Sequence, residues 1–127
     1  MNTGRTPRTG GLSAGMAKSR AHFSSNEMAV VLSHFDIGII RQLKSLSAGN
    51  PQTPKTVVVS DKGLYILKRR PHGKDDPIRV SLAHAIRAFL VTRGYPVAAA
   101  MHPRDNSRSF LHINDHIYEL FEYIRGT

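Results

Sequence analysis

Residues 55–69 read Lys55-Thr56-Val57-Val58-Val59-Ser60-Asp61-Lys62-Gly63-Leu64-Tyr65-Ile66-Leu67-Lys68-Arg69. A β-branched run, a short polar break and a second apolar run make a β-hairpin. Branched and aromatic side chains suit a pleated surface, and Gly63 is free to take positive φ in the connection. Upstream, Ser47 to Pro54 holds two prolines and a glycine and reads as a loop. Ile39 to Leu46 before it is a strand candidate, set off from what precedes by Asp36-Ile37-Gly38. Ser24-Ser25-Asn26-Glu27 has capping-box spacing. Met28, Val31, Leu32 and Phe35 then recur at helical intervals, which predicts a short helix over 26–34.

Downstream of the hairpin, Pro71 to Asp76 is a polar loop. Asp75-Asp76-Pro77 suits a helix start, with acids at the positive dipole end and proline at the first position. Val80, Leu82, Ala83, Ile86, Phe89, Leu90 and Val91 form a broad apolar stripe expected to face inward, over a helix at 78–93 that Gly94 and Pro96 stop. Val97 to Met101 reads as extended, Pro103 to Ser107 as a turn, and Ser109 to Ile113 as a short strand. Asn114-Asp115 turns the chain into His116 to Ile124, whose alternation over most of its length predicts a half-buried strand. The expected fold is α+β: an antiparallel sheet of about five strands, one long packing helix and a short N-terminal helix. One face of that sheet is expected to be poorly covered.

Residues 1–24 are rich in Gly, Ser, Thr, Pro and Arg and too sparse in apolar residues to bury, so they are expected to form a disordered basic tail ahead of a folded unit at 25–127. Eighteen Lys and Arg against nine Asp and Glu give a charge of +9, which favours polyanionic partners: nucleic acid, anionic membrane or phosphate-bearing small molecules. Cysteine is absent, which excludes disulfides, thiolate metal sites and a cysteine nucleophile. No apolar run approaches the roughly 18 residues of a membrane span.

Gly63-x-Tyr65-x-Leu67-Lys68-Arg69, the helix from Arg79 to Leu90, Gly94-Tyr95-Pro96-Val97 and the closing Tyr118-Glu119-Leu120-Phe121-Glu122-Tyr123-Ile124-Arg125-Gly126 together resemble the N-terminal lobe of the aminoglycoside phosphotransferase-like kinases, which include homoserine-kinase-type and choline-kinase-type enzymes. Phe35-Asp36-Ile37-Gly38 resembles their approach to the first strand. The resemblance covers about residues 25–127 and implies a protein-kinase-like, cytoplasmic, ATP-binding lobe. Lys68 would meet the α/β-phosphates, and residues 47–55, with Gly49 and Lys55, would lie over them. Leu120 to Ile124, including Phe121, Glu122 and Tyr123, would be the hinge that receives adenine, and Val57, Ile66 and Phe121 would line the adenine pocket. The implied reaction is transfer of the ATP γ-phosphoryl group to a small-molecule hydroxyl or amine.

The chain departs from that family in three ways. Ala83, followed by His84, stands where the long helix normally carries a Glu that pairs with the strand lysine. The loop Asn50-Pro51-Gln52-Thr53-Pro54 is stiff and short of N–H donors. The Asp-containing catalytic loop and the Mg2+ ligands belong to a C-terminal lobe, so a chain ending at the hinge is expected to have no kinase activity and to need Mg2+ only with that lobe present. A regulatory, pseudokinase-like role is one alternative. Another is a small basic nucleic-acid-binding module, resting on the overall charge and on the cluster Lys68-Arg69-Arg70-Pro71-His72-Gly73-Lys74. The seven histidines show no metal-ligand spacing and are expected in solvated or capping positions.

Overall fold

The computed structural model describes residues 21–47 and 49–123. Helix α1 (Ser25–Leu32) starts from a complete capping box: Ser24 Oγ accepts the Glu27 N–H at 3.0 Å, and Glu27 Oε1 accepts the Ser24 N–H at 3.3 Å. Strands β1 (Ile40–Leu46), β2 (Lys55–Ser60) and β3 (Gly63–Arg69) follow as a meander. Helix α2 (Pro77–Thr92) crosses over to the hairpin β4 (Leu111–Ile113) and β5 (His116–Glu122). The five strands form one antiparallel sheet in the order β1-β2-β3-β5-β4.

Turn chemistry sets the registers. Ser60 pairs with Gly63, so Asp61-Lys62 alone connects β2 to β3. Asn114 and Asp115 both have positive φ (50° and 65°), the pair of conformations a two-residue primed hairpin turn requires. Gly38 has φ +77°, and a Cβ there would stand 3.2 Å from the Asp61 Cβ, so both its backbone conformation and its closeness to the β2–β3 turn call for glycine.

The main core lies on one sheet face. Val31 and Leu32 of α1, with Phe35 and Ile37, pack against Val58, Tyr65, Leu67, Tyr118 and Leu120. Phe23 packs on the same core, and the Ala21 N–H donates to the Pro51 carbonyl, so residues 21–23, assigned to the tail from sequence, are part of the folded unit. Residues 1–20 and 124–127 lie outside the described residues, and with them most of the tail and the end of the hinge segment.

Helix α2 covers the other face, and only in part. Its N-cap is Asp76, whose side chain accepts the Ile78 N–H at 3.0 Å. The inward stripe is narrower than the pattern predicts. Only Val80 and His84 of α2 are buried, Val80 against Phe110 and Ile117. Ile78, Leu82, Ile86 and Phe89 are all more than half exposed. The helix has two stripes one step apart, and the one placed on the sheet carries the histidine that bonds to it. Strand β5 is buried at five consecutive positions, Ile117 to Phe121, because α1 covers one of its faces and α2 the other. It is therefore not the half-buried strand that alternation suggests.

Val97 to Met101 forms no strand; it makes a single bridge, Ala100 to Phe121, before the Arg104 N–H donates to the His34 carbonyl and draws the chain across to the end of α1. No helix is long and apolar enough to cross a membrane among the described residues.

Candidate functional site

In an antiparallel pair, residues directly opposite each other project to the same face. Lys55 lies opposite Lys68, Val57 opposite Ile66, and Val59 opposite Leu64. Across the next interface, Ile66 lies opposite Phe121 and Lys68 opposite Glu119. Lys55, Val57, Ile66, Lys68 and Phe121 therefore share the face on which α2 sits. Because α2 covers only the β5 end, the β1–β3 part stays open. A cavity of about 490 Å³ lies there, lined by Leu46, Val57, Val59, Leu64 and Tyr123 among others. Ile66 lies between this cavity and the Phe121 ring.

Two cations and an imidazole surround the Phe121 ring. Lys68 Nζ stands 5.3 Å from its centre, the Arg87 guanidinium 4.6 Å, and the His84 ring meets it edge-on at 5.5 Å. Arg87 is held there by donating to the Ala98 carbonyl at 3.0 Å. Lys68 is partly buried and makes no ion pair among the described residues. Burial pulls its ammonium below the usual lysine range. The charge of Glu119 opposes that shift, and Arg87, Lys55 and Arg70 add to it. A partly desolvated ammonium among other cations is a site where an anion is favoured.

Gly49 takes φ +79°, and a Cβ on it would stand 2.8 Å from Lys55 Nζ. The loop and the two lysines are thus neighbours. Asn50 closes the loop on itself: its carbonyl accepts the Thr53 N–H and its side chain accepts the Gln52 N–H.

Two residues of the hinge segment, expected to act through backbone groups, turn their side chains to the opposite face. Strand alternation puts Leu120 in the opposite core, fully buried, and Glu122 across from Tyr65 on that same opposite face. The backbone of the segment is also largely committed. The Leu120 carbonyl accepts the Met101 N–H at 2.7 Å, the Glu122 N–H donates to Ala99, and the Tyr123 N–H donates to Leu64 at 2.9 Å. Tyr123 does reach the cavity.

The sequence reading missed a buried polar chain. His84 is not solvated or capping; its side chain is 2% exposed. Its Nε2 lies 2.7 Å from Glu119 Oε2 and its Nδ1 lies 2.7 Å from Ser109 Oγ. An ionised carboxylate only accepts, so the proton sits on Nε2, and the Ser109 hydroxyl serves Nδ1. Arg70 completes the group, with Nη2 donating to Glu119 Oε2 at 3.1 Å and Nε 3.0 Å from Oε1. Burial works against the Glu119 charge, but the hydrogen bonds from His84 and Arg70 outweigh it and hold the carboxyl below the usual glutamate range. The available signal was the spacing Val80, His84, Arg87, one line along a helix, and a Glu set between apolar neighbours at 117–121.

Both arginines of the basic cluster are engaged within the fold. Arg69 donates to Glu27 at 2.6 Å, and Arg70 is held by Glu119. Among the described residues no group of three or more His, Asp or Glu converges to hold a metal ion.

Comparison with family models and with curated proteins returns no match.

Proposed function

We propose that this chain is the ATP-binding lobe of a phosphotransferase of the aminoglycoside phosphotransferase-like kind, handing the γ-phosphoryl group to a small-molecule hydroxyl or amine. Lys68 carries this reading. It is a partly buried ammonium on the central strand with no ion-pair partner among the described residues, on the sheet face that carries the open cavity. In this reading the triphosphate lies over Lys68 and Lys55, and the adenine enters the cavity between Val57 and Tyr123. The acceptor site and the Mg2+ ligands belong to a companion lobe. A nucleic-acid-binding role is less well supported, because Arg69 and Arg70 of the basic cluster are engaged with Glu27 and Glu119.

The test is nucleotide titration followed by calorimetry or by a fluorescent ATP analogue. A hydrogen bond to a charged group contributes about 1.5–3 kcal/mol, so Lys68→Met is expected to weaken ATP binding roughly 10- to 100-fold. AMP, which lacks the outer phosphates, is expected to lose much less. Equal ATP affinity in the wild-type and Lys68→Met chains refutes the assignment. RNA or DNA binding that is steeply salt-dependent and indifferent to ATP supports the nucleic-acid reading instead.

A further inference from the structure

We propose that Glu119 on β5 is the positioning carboxylate for Lys68, and that α2 sets this carboxylate through His84, which holds Glu119. This rests on the nucleotide-binding reading above.

An ammonium that must hold phosphates needs a nearby negative charge to keep it protonated and aimed. Ala83 on α2 cannot provide one, and the α2 side chains that reach the site, His84 and Arg87, are not acids. The carboxylate comes from the neighbouring strand. Glu119 is directly opposite Lys68 in the β3–β5 register and on the same face. The groups facing it are Lys68 and Arg70 from β3 and its end, and His84 from α2; Arg87 stands over the adjoining Phe121 ring. Glu119 is the one acid in this set. Its side chain is 5% exposed, so its field is little screened by water.

Glu119 Oε2 accepts from His84 and Arg70, and Oε1 lies 3.0 Å from Arg70 Nε as an ion pair. Lys68 Nζ instead rests over Phe121. Glu119 thus acts on Lys68 as a fixed charge held in place by its other partners. The His84 end of that hold is anchored in turn: Ser109 bonds the far ring nitrogen, from the segment just before β4. Val80 is the other buried contact of α2. A displacement of α2 therefore changes the setting of Glu119 through one side chain.

The experiment is NMR titration of the Lys68 amine, with lysine labelled at Cε and Nζ, in the 127-residue chain without nucleotide. Wild type, Glu119→Gln and His84→Ala are compared, and ATP affinity is measured on the same samples. Glu119→Gln removes the charge that supports the ammonium, so the Lys68 titration is expected to move to lower pH and ATP affinity to fall at least tenfold. His84→Ala leaves the carboxylate charged but frees it to turn toward Lys68, so the titration is expected to move to higher pH. A role confined to folding lowers the melting temperature without moving the Lys68 titration. An unmoved Lys68 titration in a folded Glu119→Gln chain overturns the proposal. If that variant does not fold, an unmoved titration in His84→Ala overturns it. If the titrations move as expected while the wild-type chain binds no ATP, the Glu119–Lys68 coupling stands and the nucleotide reading fails.

Discussion

Replacing Glu27 with Gln tests what fastens α1 to the sheet. One carboxylate oxygen, Glu27 Oε2, accepts from Tyr118 Oη at 2.5 Å and from Arg69 Nη1 at 2.6 Å. The ion pair is largely shielded, at 17% and 19% side-chain exposure for Arg69 and Glu27. An amide at this position keeps the shape and one acceptor but loses the charge. A hydrogen bond to a charged group contributes about 1.5–3 kcal/mol and a neutral one about 0.5–1.5, so weakening two such bonds costs roughly 2 kcal/mol. For a folded unit of this size that lowers the melting temperature by about 10 °C. Burial raises the Glu27 pKa, but the bonds from Tyr118 and Arg69 outweigh it, and the carboxyl titrates below its usual range. The group is thus charged in the fold at pH values where the unfolded chain takes up a proton. Its stabilisation is complete above the unfolded Glu pKa and is lost as pH falls through the folded one. The partner moves the other way. Burial and the bond to Glu27 push the Tyr118 hydroxyl up to about 12, so it stays a donor across the physiological range. Thermal melts followed by circular dichroism from pH 3 to 8 check this. The gap between wild type and Glu27→Gln is expected to be full near neutrality and to close in acid. A gap absent at pH 7, or constant down to pH 3, refutes the reasoning.

Val80→Ala is expected to cost about 2 kcal/mol, since it removes buried methyl groups and leaves a cavity against Phe110 and Ile117. Because α2 has just one other buried residue, hydrogen exchange is expected to lose protection over 77–92 while β2 and β3 keep theirs; uniform loss across the chain contradicts the partial docking of α2. Gly38→Ala is expected to destabilise by about 1–2 kcal/mol, the cost of a left-handed residue with a Cβ, raised by the contact with the Asp61 side chain. An unchanged midpoint on chemical denaturation of that variant refutes the left-handed cost assigned to Gly38.

The strands and helices were largely legible because each is specified by local chemistry. Ser24 and Glu27 cap α1, Asp76 and Pro77 start α2, and Asn114-Asp115 turns the last hairpin. Several residues expected at the site share one face for a similar reason: pairing of β2 with β3 and β3 with β5 places their alternating positions together. What failed depended on choices that sequence leaves degenerate. Helix α2 carries two stripes, and hydrophobicity alone selects the one with Leu82, Ile86 and Phe89. The fold buries the stripe with His84 because Glu119, already desolvated on β5, is stabilised by the partner it finds there. Stripping a buried carboxylate of one hydrogen-bond partner costs several kcal/mol, on the scale of the roughly 2 kcal/mol gained for each further apolar side chain covered. The side chains of Leu120 and Glu122 leave the Lys68 face for a simpler reason. They sit in a run that reads as one motif, yet strand alternation sends neighbours to opposite faces.

The two faces of the sheet are fastened by the same device. On the α1 side, Glu27 is held by Arg69 and Tyr118; on the α2 side, Glu119 is held by Arg70 and His84. Adjacent arginines at the end of β3 therefore point to opposite faces, each compensating one carboxylate. The arrangement follows from strand alternation, and it leaves Lys68, one residue earlier and on the Glu119 face, as the cation of β3 without a carboxylate in contact. That asymmetry is the physical basis for reading Lys68 as a ligand-binding group. Arg69 and Arg70 have charges already balanced by the fold, so an added anion gains little from them. Lys68 carries a desolvation cost that Glu119 only partly offsets and the nearby cations increase. An anion placed against it relieves that cost, so binding there is coupled to keeping the ammonium protonated, and affinity is expected to decline as pH rises through the Lys68 titration.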